Sequence, residues 1–167
     1  MENKDDILKK LNSSDPGLQH EAIAEIKNTG DISIAPALLD TLVSAEDHHF
    51  ISELTGLLAD IKDNQFKTLL AERIRETSSA PQKALLLRIC WESALDFSEY
   101  TDLFIQILIR DEFIAALEAS TILEELSYPD TEKREKMITL LKNTPASEEK
   151  QFLIDNILDT IGQQTEE

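Results

Sequence analysis

Basic residues are scarce in this chain. Sixteen lysines and arginines stand against 33 aspartates and glutamates in 167 residues, a formal net charge of −17. Binding to phosphates needs cations that displace counterions, so the chain as a whole is a poor candidate for nucleic acid. An anionic membrane surface repels it for the same reason. A basic protein partner suits the charge, and so does the plainer reading that the acids only keep the surface soluble. One cysteine, Cys90, excludes an intramolecular disulfide and any multi-cysteine metal site. It sits inside Leu85-Leu86-Leu87-Arg88-Ile89-Cys90-Trp91, where a buried structural thiol is expected. No apolar run reaches membrane-spanning length, and residues 1–6 lack the apolar centre of a signal peptide. A cytoplasmic location is the expectation.

Glycine and proline are also few, at four and five copies, so most of the chain is free of helix breakers. Leu, Ile, Ala, Glu and Lys dominate, and almost no stretch alternates in the manner of a strand. The expected class is all-α. At 41% hydrophobic the chain is too apolar for a disordered segment. Ten helices are predicted, over residues 4–11, 16–28, 33–43, 47–61, 64–76, 81–95, 98–110, 112–126, 131–143 and 147–161. Ser13, Ser14 or Asp15 is placed to cap the second, Asn64 the fifth, Ser98 the seventh and Ser147 the tenth. Gly30 stops the second, and Pro129 and Pro145 separate the last three.

The segment from Asp15 to Asp31 recurs in pattern 32 residues later, from Asp47 to Asp63. Leu18 falls on Phe50, Ala22 on Leu54 and Ile26 on Leu58. One apolar anchor on each odd helix (Leu11, Leu42, Ile74, Leu108, Leu141) recurs at spacings of 31 to 34. Its counterpart on each even helix (Ile26, Leu58, Cys90, Leu123, Leu158) recurs at 32 to 35. Two registers kept in step predict about five helical hairpins, stacked because no single hairpin buries its own apolar face. A single repeat domain over 1–162 is expected, with a frayed tail at 163–167.

Asp15-Pro16 … Leu18 … Ala22 … Ile26 … Gly30-Asp31 resembles the second helix of a HEAT repeat. Ile34-Ala35-Pro36-Ala37-Leu38-Leu39-Asp40-Thr41-Leu42 resembles the first helix of the next, with its opening proline. Glu46-Asp47 … Phe50 … Leu54 … Leu58 … Ile61 is similar to the following second helix. The likeness covers residues 15–63; beyond them only the helix spacing continues. It implies a right-handed α-α superhelix, a HEAT-like solenoid, that holds a protein or peptide on the concave face of its second helices. It also leaves room for a bilin-attaching lyase, an alkylated-DNA glycosylase or a structural subunit of a larger assembly.

Nothing in the motifs points to catalysis, a cofactor or a metal. His20-Glu21 matches one half of the His-Glu pairs of a HEAT-like di-iron hydroxylase. Only three histidines exist, His20, His48 and His49, and a surface role is expected for each. Charge is banded instead. Residues 31–61 hold six carboxylates and no Lys or Arg, and residues 89–132 hold eleven against Arg110 alone. Between them lie Lys62, Lys67, Arg73, Arg75, Lys83 and Arg88. This basic band is either a site for an acidic or phosphorylated peptide or a set of ion pairs to the flanking acids. Lys83, Leu87 and Trp91 fall on one helical stripe beside Arg88, and these four are the expected partner-binding residues. Trp91 either anchors a partner there or packs between repeats. The predicted seventh and eighth helices carry more apolar residues than one buried stripe needs, which points to a wide core contact or an exposed dimer patch. The expected protein is a non-enzymatic scaffold or adaptor, monomeric or weakly dimeric, with a protein or peptide partner.

Overall fold

The computed structural model describes residues 3–29 and 31–164; Gly30, expected to end the second helix, and the last three tail residues lie outside them. Among the described residues there are ten α-helices, two single 3-10 turns and no strand. They are α1 (Lys4–Leu11), α2 (Pro16–Thr29), α3 (Ala35–Ser44), α4 (His48–Ala59), α5 (Gln65–Glu76), α6 (Ala80–Glu92), α7 (Thr101–Arg110), α8 (Phe113–Glu125), α9 (Thr131–Asn143) and α10 (Glu148–Gln163). The 3-10 turns, Ile32–Ile34 and Ser98–Tyr100, lead directly into α3 and α7.

Aspartate side chains set most of the helix starts. The carboxylates of Asp15, Asp31, Asp47 and Asp63, 16 residues apart, accept from the backbone N–H of Gly17, Ser33, Phe50 and Gln65 at 2.8–2.9 Å. Each satisfies a donor that the first helical turn leaves orphaned. Two expected caps are therefore displaced. Asn64 makes no side-chain cap bond, because Asp63 reaches Gln65 first. Ser98 opens a 3-10 turn and is itself held by Asp96. Asp130 caps α9, and Ser147 caps α10 as expected.

The chain divides into two compact units. Unit one comprises residues up to Ser78 together with Arg88–Leu95. There α1 packs on α2, α3 on α4, α2 on α4 and α3 on α5. The anchors Leu11, Ile26, Leu42, Leu58, Ile74 and Cys90 are all buried. Polar ties reinforce the pairs. Lys10 of α1 reaches Glu21 and Glu25 of α2 at 3.1 and 3.0 Å. Arg73 of α5 reaches Asp40 of α3 at 2.5 Å.

Unit two comprises Ser79–Leu87 and the chain from Asp96 onward. There α7 packs on α8, α8 on α10 and α9 on α10. Leu108, Leu123 and Leu141 are buried, but Leu158 is only half-buried. Its neighbour Ile157 is fully buried and is the true anchor of α10, which shortens the last spacing to 34. Asp111 is a knot in this unit. Its carboxylate pairs with Lys83 at 2.5 Å, and its carbonyl accepts from Lys150 Nζ at 2.6 Å. Helix α10 continues one residue past the expected boundary at 162. The side-chain amide of Gln164 then donates to the Leu126 carbonyl and accepts from Tyr128 N–H. No helix among the described residues is long and apolar enough to cross a membrane.

Candidate functional site

The four expected contact residues do not form one exposed stripe. Leu87 is fully buried, which corrects its assignment to a solvent-facing groove. It stands three residues after Ala84 and three before Cys90, both buried, so it belongs to the core side of α6. Lys83 is also largely covered, at 13% side-chain exposure, and is held by Asp111. Lys83 and Leu87 belong to unit two, Arg88 and Trp91 to unit one. Arg88 is half-exposed and donates from Nε to Glu92 at 2.6 Å, while its guanidinium lies 5.7 Å from the Trp91 ring centre. Trp91 is half-buried beneath it. This cation–π stack orders the end of α6 and leaves part of the indole accessible.

Two bases of the central band pair with the acidic stretches on either side: Arg73 with Asp40, and Lys83 with Asp111. Arg88 pairs within its own helix. These bases tie helices together or order a helix face, and none presents an uncommitted charge.

The histidines are all exposed. His20 of α2 lies 2.9 Å from Glu53 of α4, and His49 lies 3.9 Å from the other oxygen of the same carboxylate. Among the described residues no group of three or more His, Cys, Asp or Glu side chains is arranged to hold a metal. Burial pushes the Cys90 thiol well above its ordinary range, so the thiolate that nucleophilic chemistry needs is suppressed.

Unit two carries the feature that the apolar surplus of the seventh and eighth predicted helices announced. In α7 that surplus is core: Phe104, Ile105, Ile107 and Leu108 are buried. In α8 it is surface. Ala115, Ala116, Ala119, Ile122 and Leu123 fill the buried side, while Phe113, Ile114 and Leu117 are 41%, 46% and 41% exposed. Spaced i, i+1 and i+4, these three share one outward patch. Glu112 precedes the patch and Glu118 follows it, and no Lys or Arg occurs between Phe113 and Glu125. Farther along, Glu124 is held above its ordinary value, first by burial and then by the charge of Glu125.

Each unit also has a groove. In unit one, about 490 Å³ is lined by Ile26, Ile34, Leu57 and Ile61 together with Lys27, Lys62, Asp31, Asp60 and Asp63. In unit two, about 550 Å³ runs over Ile105, Met137 and Leu140, edged by Glu99, Asp102, Asp130 and Lys133. Tyr128 lines the second groove, but its hydroxyl donates to the Leu123 carbonyl, and burial raises it above its ordinary range.

No protein-family model, no curated protein and no solved structure matches this chain.

Proposed function

We propose that the chain is a HEAT-like helical-repeat module that binds a protein or peptide partner and performs no chemistry of its own. It acts in the cytoplasm as a scaffold or adaptor and does not self-associate strongly. The observation that carries this reading is the patch of Phe113, Ile114 and Leu117 on α8. Three large apolar side chains on a helix whose core side is already filled by other residues stay 41–46% exposed, and contiguous exposed apolar surface marks interaction sites. Covering them contributes on the order of 5 kcal/mol at about 25 cal/mol per Å² of apolar surface. Association itself costs at least about 4 kcal/mol. The patch therefore suits a partner that makes further contacts or binds transiently.

The test is a pull-down from native lysate with the tagged chain, washed at low and then moderate salt and read by mass spectrometry. A stoichiometric partner should be retained by the natural chain and lost by Ile114→Asp. Trp91→Ala should retain it. Loss of the partner with Trp91→Ala alone, at unchanged melting temperature, would move the site to the end of α6.

A further inference from the structure

The occupant of the α8 patch is specified by what surrounds it. The apolar residues span little more than one helical turn, a short ridge against which a second helix can set apolar side chains at i, i+3 and i+4. The charges that α8 itself carries are all negative, since no Lys or Arg occurs between Arg110 and Lys133. Glu112, Glu118, Glu124 and Glu125 lie on α8 or at its start. The nearby cations are mostly consumed. Lys83 is paired with the Asp111 carboxylate, and Lys150 donates to the carbonyls of Ile109 and Asp111. Arg110, at the end of α7, is the one basic residue between Arg88 and Lys133. Glu124 holds its proton more tightly than an ordinary glutamate, first because it is partly buried and second because Glu125 lies beside it.

We infer that the α8 face of unit two docks a cationic amphipathic helix, its apolar stripe on Phe113, Ile114 and Leu117 and its Lys/Arg flanks on the surrounding glutamates. This deepens the protein-binding reading and rests on it. Charge complementarity selects this occupant over the others. A second copy of the chain brings another net charge of −17 and a like-charged rim to the contact. An uncharged apolar ligand makes no use of the negative charge that flanks the ridge. The recognition mode is a helix laid against a helical surface through apolar anchors, with the flanking charges setting orientation and on-rate.

The experiment is a displayed library of helical peptides, selected on the full chain and counter-selected on the Ile114→Asp/Leu117→Asp double variant. The variant's melting curve must overlay that of the natural chain; if it does not, Leu117→Ser replaces it. Enriched peptides are then titrated by fluorescence anisotropy at about 50 and about 300 mM salt, a range over which exposed charge pairs are progressively screened. The expected winners are net positive, with apolar residues at helical spacing. They should bind the double variant at least about tenfold more weakly, and Glu118→Gln/Glu124→Gln/Glu125→Gln several-fold more weakly. Neutral or acidic winners that still depend on Ile114 and Leu117 would overturn the cationic assignment and leave the protein-binding reading standing. Cationic peptides that bind the double variant equally well would show mere electrostatic adsorption and overturn the inference. No peptide that distinguishes the two chains would overturn both.

Discussion

In unit one, α2 and α4 meet solvent mostly with polar side chains, among them His20, Glu21, His49 and Ser52, with Leu18 an exposed large apolar residue, and His20 reaches across to Glu53. In unit two, α8 has an equally apolar core side but meets solvent with Phe113, Ile114 and Leu117. The inward positions of the three helices are alike: Ala22 and Ile26, Leu54 and Leu58, Ala119 and Leu123 are all buried. The outward positions follow no common rule. Packing dictates the first set, because a close-packed interior tolerates little change of volume. It does not dictate the second. An outward apolar cluster in one unit and an outward polar bridge in the other are thus differences of use laid over a shared construction.

The largest effects should fall on what the two units share. Leu58→Ala in unit one and Leu123→Ala in unit two should each cost about 2–5 kcal/mol in urea unfolding. Ile157→Ala should belong to that group, and half-buried Leu158→Ala should cost less than about half as much. Equal costs at 157 and 158 would break the assignment of the α10 register.

Smaller effects should separate the polar ties of the two units. Asp111→Asn strips the partner from a largely covered lysine and should cost about 1–3 kcal/mol. His20→Ala removes an exposed partner of Glu53 and should stay within about 0.5 kcal/mol. Matching losses would mean that the His20–Glu53 bridge is as structural as the Lys83–Asp111 pair, and that unit one's outer face is not free to vary.

The smallest effect is a pH signature of the acidic rim. Glu124 has its proton affinity raised on folding, by burial and then by Glu125, so the folded state holds that proton more tightly than the unfolded one. Its contribution to stability is fully present below the ordinary glutamate pKa and is lost as pH rises through the folded value. Glu124→Gln should therefore raise the melting temperature slightly at neutral pH, with the gain vanishing on acidification below the glutamate range. A gain that persists at acid pH would attribute the effect to packing rather than charge.

Much of the local structure was legible in the sequence because local rules govern it. The ends of α1 and α9 fall where residue spacing and Pro129 place them. Asp15 was among the expected caps and acts at a helix start; Asp31, Asp47 and Asp63 act in the same way, although Asn64 was the residue expected to cap the fifth helix. Leu87 was misplaced because α6 buries Leu86, Leu87, Ile89 and Cys90 over much of its circumference. A single-stripe reading then assigns some core residues to solvent. Leu158 and Ile157 are adjacent and both apolar, and periodicity cannot choose between neighbours when helical register drifts along a repeat.

The sequence by itself determined the all-helical class, the number and order of the helices and the anchors from Leu11 to Leu141, because hydrophobic period and caps are encoded within a few residues. Tertiary structure decided which apolar side chains found partners. Helices α7 and α8 both read as apolar around much of their surface, yet α7 is core and α8 exposes Phe113, Ile114 and Leu117. Burial depends on what another helix brings to each face, and a helix's own sequence carries no record of that.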